Sequence, residues 1–187
     1  MINLKEKFSI AAPPDEVWPL MSDPVVIAAC IPGAELTELT ADGAHRGKVT
    51  FKFGPTVAVF RGEARLTYDH PVKRCLIEAK GIDQKGASRA RARFEVDAQG
   101  VDTTEVTLDG GFEVAGPLEM FASAGGVHVA RVLLAEFAAN IAKVIEQRRA
   151  GDNGLEQASA ASGTKIMGRA LLDGARNMIN KRSDGKE

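Results

Sequence analysis

The sequence predicts an α+β domain, in which a curved antiparallel sheet of about seven strands wraps around one long C-terminal helix. Three observations carry this reading. From Glu35 to Val114 the chain alternates apolar and polar residues, in segments separated by Gly, Asp and Pro turns. From Glu119 to Arg149 it changes to helical spacing, with Val129, Leu133, Phe137, Ile141 and Val144 on one face and no proline. Pro14 and Pro24 each open a short helical run between the first strand and the others.

Taken in order, Ile2 to Ile10 reads as a half-buried strand whose phase slips near Glu6. Pro14-Asp15-Glu16-Val17-Trp18 opens a short helix, with its early acids favourable at the positive helix N-terminus. Ser22-Asp23-Pro24 breaks it, and a second short helix runs from Val25 to Cys30 and stops at Ile31-Pro32-Gly33. Six strands follow: Glu35–Thr40, His45–Phe53, Thr56–Asp69, Arg74–Lys80, Ser88–Val96 and Thr103–Val114. The fifth of these is the clearest, with Arg89, Arg91 and Arg93 alternating against Ala90, Ala92 and Phe94. Connections this short make neighbouring strands antiparallel. One sheet face is then polar and arginine-bearing, and the other is small and apolar and suits the long helix.

With 187 residues there is one domain (1–149), followed by a short extension. A net charge of −1 gives no electrostatic reason to expect nucleic acid, and no aromatics interleave with the arginines for base stacking. The arginines are expected to be solvated and partnered by acids such as Glu63 and Glu95. Cys30 and Cys75 have neither CxxC spacing nor a nearby His cluster, so reduced, buried thiols are expected and no metal site. No 18-residue apolar run is present. The strand-like start lacks a signal-peptide core, which predicts a cytoplasmic protein.

Catalytic signals are weak. His45 follows a turn and His70 precedes Pro71, so both are expected to face solvent, while His128 lies close to the apolar side of the long helix. No nucleophile elbow, HExxH or phosphate-cradling glycine loop occurs, so the chain does not read as a self-contained enzyme. Gly62, Ala64, Ala90 and Ala92 are small where a dense core would carry Leu or Val. Two readings stay open: the helix approaches very closely there, or a cavity of ligand size lies beneath it.

Residues 150–163 are rich in Gly, Ala and Ser and read as a flexible linker. Residues 164–187 form a cationic amphipathic segment, with five bases and one acid from Thr164 to Arg182. Met167, Leu171 and Met178 share its apolar side, while Lys165, Arg169, Arg176, Lys181 and Arg182 supply charge for an anchor on a membrane or a partner protein.

Certain residues also carry a family resemblance. They are Phe8-Ser9-Ile10 with Pro13, Pro14-Asp15-Glu16-Val17-Trp18, Asp23-Pro24, Cys30-Ile31-Pro32-Gly33-Ala34-Glu35, Phe60-x-Gly62 and Gly116-Pro117-Leu118. Over residues 1–149 the chain resembles the CoxG family of carbon monoxide dehydrogenase accessory proteins, within the helix-grip superfamily of START domains, polyketide cyclases and the birch-pollen allergen group. The resemblance implies an accessory protein with no catalytic residue or covalent cofactor. It implies an apolar cavity holding a hydrophobic small molecule, a respiratory quinone such as menaquinone or ubiquinone. It also implies recruitment of a molybdenum hydroxylase, carbon monoxide dehydrogenase, to the inner face of the cytoplasmic membrane, coupling it to the respiratory chain. Inward-facing positions nominate Phe51, Phe53, Phe60, Leu66, Phe94, Phe112, Leu133 and Phe137 as the cavity lining. The alternatives are a polyketide-cyclase-like enzyme using His128 on an aromatic ketone, and a maturation chaperone of the dehydrogenase.

Overall fold

A computed structural model describes residues 1–53 and 56–158. The elements run β1 (Ile2–Ile10), α1 (Pro14–Met21), α2 (Pro24–Cys30), β2 (Ala34–Leu39), β3 (His45–Phe53), β4 (Thr56–Asp69), β5 (Arg74–Asp83), β6 (Arg89–Gly100), β7 (Thr104–Ala115) and α3 (Glu119–Arg149). The seven strands form one sheet in the order β1-β7-β6-β5-β4-β3-β2, with every neighbouring pair antiparallel. The expected α+β architecture is therefore present, and strands β5 and β6 run further than alternation alone suggests.

Local chemistry sets the helix starts. Pro14 occupies the first turn of α1, where a missing N–H costs nothing, and Asp15 and Glu16 sit in the same turn. Asp23 caps α2, its Oδ1 accepting from Val25 N at 2.9 Å. The expected phase slip in β1 does not occur. Leu4 and Ile10 are buried, and Glu6 keeps the same inward phase, although an acid there mimics a slip in the sequence. Arg131 of α3 reaches it, Nε to Oε1 at 2.7 Å, which explains how a carboxylate is tolerated on that face.

The packed core is concentrated at one end of the molecule. Val17, Trp18 and Leu20 of α1, Val26 and Cys30 of α2, and Phe137, Ile141, Val144 and Ile145 of α3 meet Ile10, Cys75, Val96, Val106 and Leu108 from the sheet. Polar ties close the same end. Asn140 Nδ2 donates to the Cys30 carbonyl at 3.0 Å, and Thr104 Oγ1 to the Ala12 carbonyl at 2.7 Å. An ion pair joins Arg149 to Glu16 at 2.8 Å. The opposite end holds the β5–β6 turn and the β7–α3 junction, which are locked together where Leu118 N donates to Ser88 Oγ at 3.1 Å.

Beyond α3 the chain turns back onto the second helix. Ala158 N donates to the Ala29 carbonyl at 2.9 Å and Gly33 N to the Ala158 carbonyl at 3.2 Å, so the described part of residues 150–163 crosses the α2–β2 connection. The proposed anchor, residues 164–187, lies outside the described residues. Among the described residues, no helix is long and apolar enough to cross a membrane.

Candidate functional site

Strand register assigns the concave face unambiguously, because residues directly paired across a sheet share a side. One inward row runs His45–Ala64–Ala79–Ala92–Phe112–Ile2 across six strands. The next row towards the turn end is Gly47–Gly62–Gly81–Ala90–Val114. On the core side of the alanine row lies Leu66–Ile77–Phe94–Gly110–Leu4. The small residues of the sequence thus form contiguous stripes, with an aromatic or apolar residue only toward the flanks.

Alpha-3 does not fill this face evenly. Its C-terminal half contributes four buried side chains, whereas its N-terminal half contributes only Ala122. Ala130 and Leu134 pack against the core, whereas Val129 and Leu133 are half-buried outside it, and so are the sheet residues Val49, Phe51, Phe60, Ala64, Ala79, Ala92 and Phe112. Side chains that faced one another in a dense core would be closed to solvent. Both walls are thus less closed than the core at the other end of the helix. Contact is tight at one point, where a Cβ on Gly126 would come within 2.9 Å of Phe112 Cζ. Met120 and Phe121, 79% and 47% exposed, place apolar surface at the start of the helix, beside the open end.

The nominated lining residues divide into groups. Phe51 and Phe60 face each other edge-on, ring centroids 6.1 Å apart, and like Phe112 and Leu133 they are half-buried. Leu66 and Phe94 pack against the margin of the closed core. Phe137 is inside that core, 9% exposed and edge-on to Phe8 at 6.2 Å. The Phe53 side chain and the anchor residues Lys165, Met167, Arg169, Leu171, Arg176, Met178, Lys181 and Arg182 lie outside what the structure describes.

Two polar atoms on the concave face are not singled out by the sequence. Among the described residues, His45 Nδ1 and Tyr68 Oη are buried without a hydrogen-bond partner. His45 is half-buried, because its pairing with Ala64 turns it inward, contrary to the solvent-facing expectation. The alternation His45, Gly47, Val49, Phe51 is the signal that reveals this. Tyr68 sits four residues along β4 from Ala64, about 13 Å away, among Trp18, His70 and Cys75 at the closed end. Burial, then the nearby Cys75 and Asp23, push its phenol well above the usual range. His70 accepts from Trp18 Nε1 at 3.1 Å and is exposed. His128 is exposed, which removes the basis for a cavity acid or base at that position. Both thiols are buried, and desolvation raises Cys30 and Cys75 to about 11. Among the described residues, no group of three or more His, Cys, Asp or Glu side chains could hold a metal ion.

A family model for the CoxG subunit of carbon monoxide dehydrogenase matches residues 7–146. The chain belongs to this family. No curated protein matches the sequence. Among solved structures, a conserved protein from Geobacillus kaustophilus is similar at 20% identity and TM-score 0.68, covering 78% of this chain and 96% of that one. The Zhui aromatase/cyclase from Streptomyces sp. R1128 is similar at 16% identity and TM-score 0.56, over 80% and 98% of the two chains. A norcoclaurine synthase variant from Thalictrum flavum, bound to a transition-state analogue, is similar at 17% identity and TM-score 0.53, over 79% and 95%. At these identities the likeness establishes the helix-grip fold and no activity. The family name associates the CoxG chain with carbon monoxide dehydrogenase.

Proposed function

We propose that this CoxG chain is a non-catalytic carrier that holds a respiratory quinone between α3 and the sheet and recruits its dehydrogenase to the membrane. The observation that carries this is the pair of half-buried apolar walls, with the unpartnered His45 Nδ1 on one of them. A quinone head is flat, apolar on its faces and bears carbonyl acceptors at its edges. The alanine row gives a smooth floor for such a ring, and Phe51, Phe60 and Phe112 flank it. A neutral imidazole protonated at Nδ1 would donate to one carbonyl, which supplies the missing partner and orients the head. The isoprenoid chain would leave past Met120 and Phe121, whose exposed side chains suit lipid contact. The cationic residues 164–187 would hold the protein at an anionic bilayer while the tail crosses.

The test is native mass spectrometry of the full chain purified from quinone-producing cells. The reading predicts an adduct with the mass of menaquinone or ubiquinone, much reduced in His45→Phe. Protein that is consistently empty under quinone-replete expression contradicts it.

A further inference from the structure

The outer face of the sheet carries a second feature, separate from the concave site. A groove of about 720 Å³ opens there across β2 to β6. It follows the crease made by the paired glycines of β3, β4 and β5. A Cβ on Gly62 would collide with the Lys80 carbonyl oxygen, so only glycine permits this bend.

Two cross-strand rows of the outer face pass through the groove, with Glu38 and Glu113 ending one of them beyond its lining. One reads Glu38–Arg46–Glu63–Lys80–Arg91–Glu113. Here Arg46 pairs with Glu38 at 3.3 Å and Lys80 with Glu63 at 2.9 Å. The other reads Glu35–Lys48–Arg61–Ile82–Arg89, and its only ion pair among the described residues is Lys48 with Glu35, at 3.0 Å. Glu63 and Glu95, the acids expected to neutralise the stripe, do not do so. Glu63 is taken by Lys80 and Arg46, and among the described residues Glu95 makes no ion pair with an arginine of the groove. Among the described residues, Arg61, Arg89 and Arg91 thus line one groove without an acid partner, beside Ile82, which is 50% exposed.

We propose that this groove is a docking surface for an acidic protein partner, whose carboxylates engage Arg61, Arg89 and Arg91 around an apolar contact on Ile82. The proposal rests on the reading that the chain works beside a dehydrogenase, and adds the face through which it does so. Arginine forks match carboxylates bidentately, and arginine with an apolar centre is the composition of interface hot regions. A lipid surface fits less well. Glu35, Glu38, Glu63 and Glu113 are interspersed along both rows and would be repelled by a uniformly anionic bilayer, while against a protein they fix register. A recess is also the wrong shape for a planar membrane.

The experiment compares the full chain with Arg61→Glu/Arg89→Glu/Arg91→Glu and with Ile82→Asp, all confirmed as folded by circular dichroism. Affinity for purified carbon monoxide dehydrogenase of the same organism and for phosphatidylglycerol vesicles is measured from low to high salt. The triple variant is expected to lose dehydrogenase affinity at least tenfold, and the wild-type affinity to fall with added salt. Quinone content should be unchanged in both variants. A triple variant that binds the dehydrogenase as tightly as wild type overturns the proposal, and so does a loss confined to vesicles. A wild-type chain that carries quinone yet never binds the dehydrogenase also overturns it, while leaving the cavity reading intact.

Discussion

Gly126 of α3 lies over the ring of Phe112, so closely that a Cβ would sit 2.9 Å from Cζ. This contact sets the spacing between the N-terminal half of the helix and the alanine row of the sheet. The ring itself is only half-buried. Gly126→Leu should therefore gain about 1 kcal/mol of helix propensity and change the urea midpoint little, while the displaced ring and new side chain occlude the site. Ligand uptake should fall by about tenfold, some 1.4 kcal/mol. A midpoint lowered by the overpacking typical of dense cores would show that the region is already full.

The two halves of α3 should respond differently to truncation. Ile141 is fully buried, and Ile141→Ala should cost about 2–5 kcal/mol. Leu133, half-buried on the same broad apolar stripe, should cost less than about 1.5 kcal/mol, because less of its surface is buried. Equal losses in equilibrium urea unfolding would contradict the division of the helix into core and wall.

The Tyr68 hydroxyl is buried without a partner, and such a group costs about 1–3 kcal/mol of desolvation. Tyr68→Phe removes it and leaves the edge-on contact with Trp18, whose ring centroid is 6.1 Å away. The variant should be at least as stable as wild type. A clear drop in denaturation midpoint would mean that the hydroxyl has a partner.

The thiols give a pH signature. Cys30 and Cys75 are raised to about 11 by desolvation, against 9.0 for the free group. Raised values mean that the folded state retains protons which the unfolded chain releases. Their contribution is therefore fully present below pH 9 and is lost as pH climbs toward about 11. Thermal scans should show the melting temperature flat below that window, as far as these groups are concerned, and falling within it. Alkylation at pH 8 should be slow in native protein and fast in urea. Rapid native labelling of both cysteines would place them at the surface.

Much of this fold is legible because its strands obey a strict two-residue period, as in Arg89-Ala90-Arg91-Ala92-Arg93-Phe94. The bounds of α3 follow from Gly116-Pro117 and from the change to helical spacing. What stays hidden depends on register. Glu6 resembles a slip because its partner, Arg131, lies 125 residues away. His45 reads as a solvent-facing turn residue until its pairing with Ala64 turns it inward. The division of α3 is illegible for a different reason. Val129 and Leu133 belong to the same three- and four-residue apolar stripe as Ile141 and Val144, and only the position of α1 and α2 closes one end. The unpaired arginines likewise require knowing which cations claim Glu63.

Quinone carriage as proposed requires that the space above the alanine row can receive the ring. It is tested most directly by titrating menaquinone into wild type and Ala64→Leu/Ala92→Leu and following binding by native mass spectrometry, with urea midpoints measured in parallel. Stoichiometric uptake is expected for wild type, and a loss of at least tenfold in a double variant that is no less stable. Undiminished uptake by the filled variant, or a stability loss of about 1–3 kcal/mol from overpacking, would contradict it.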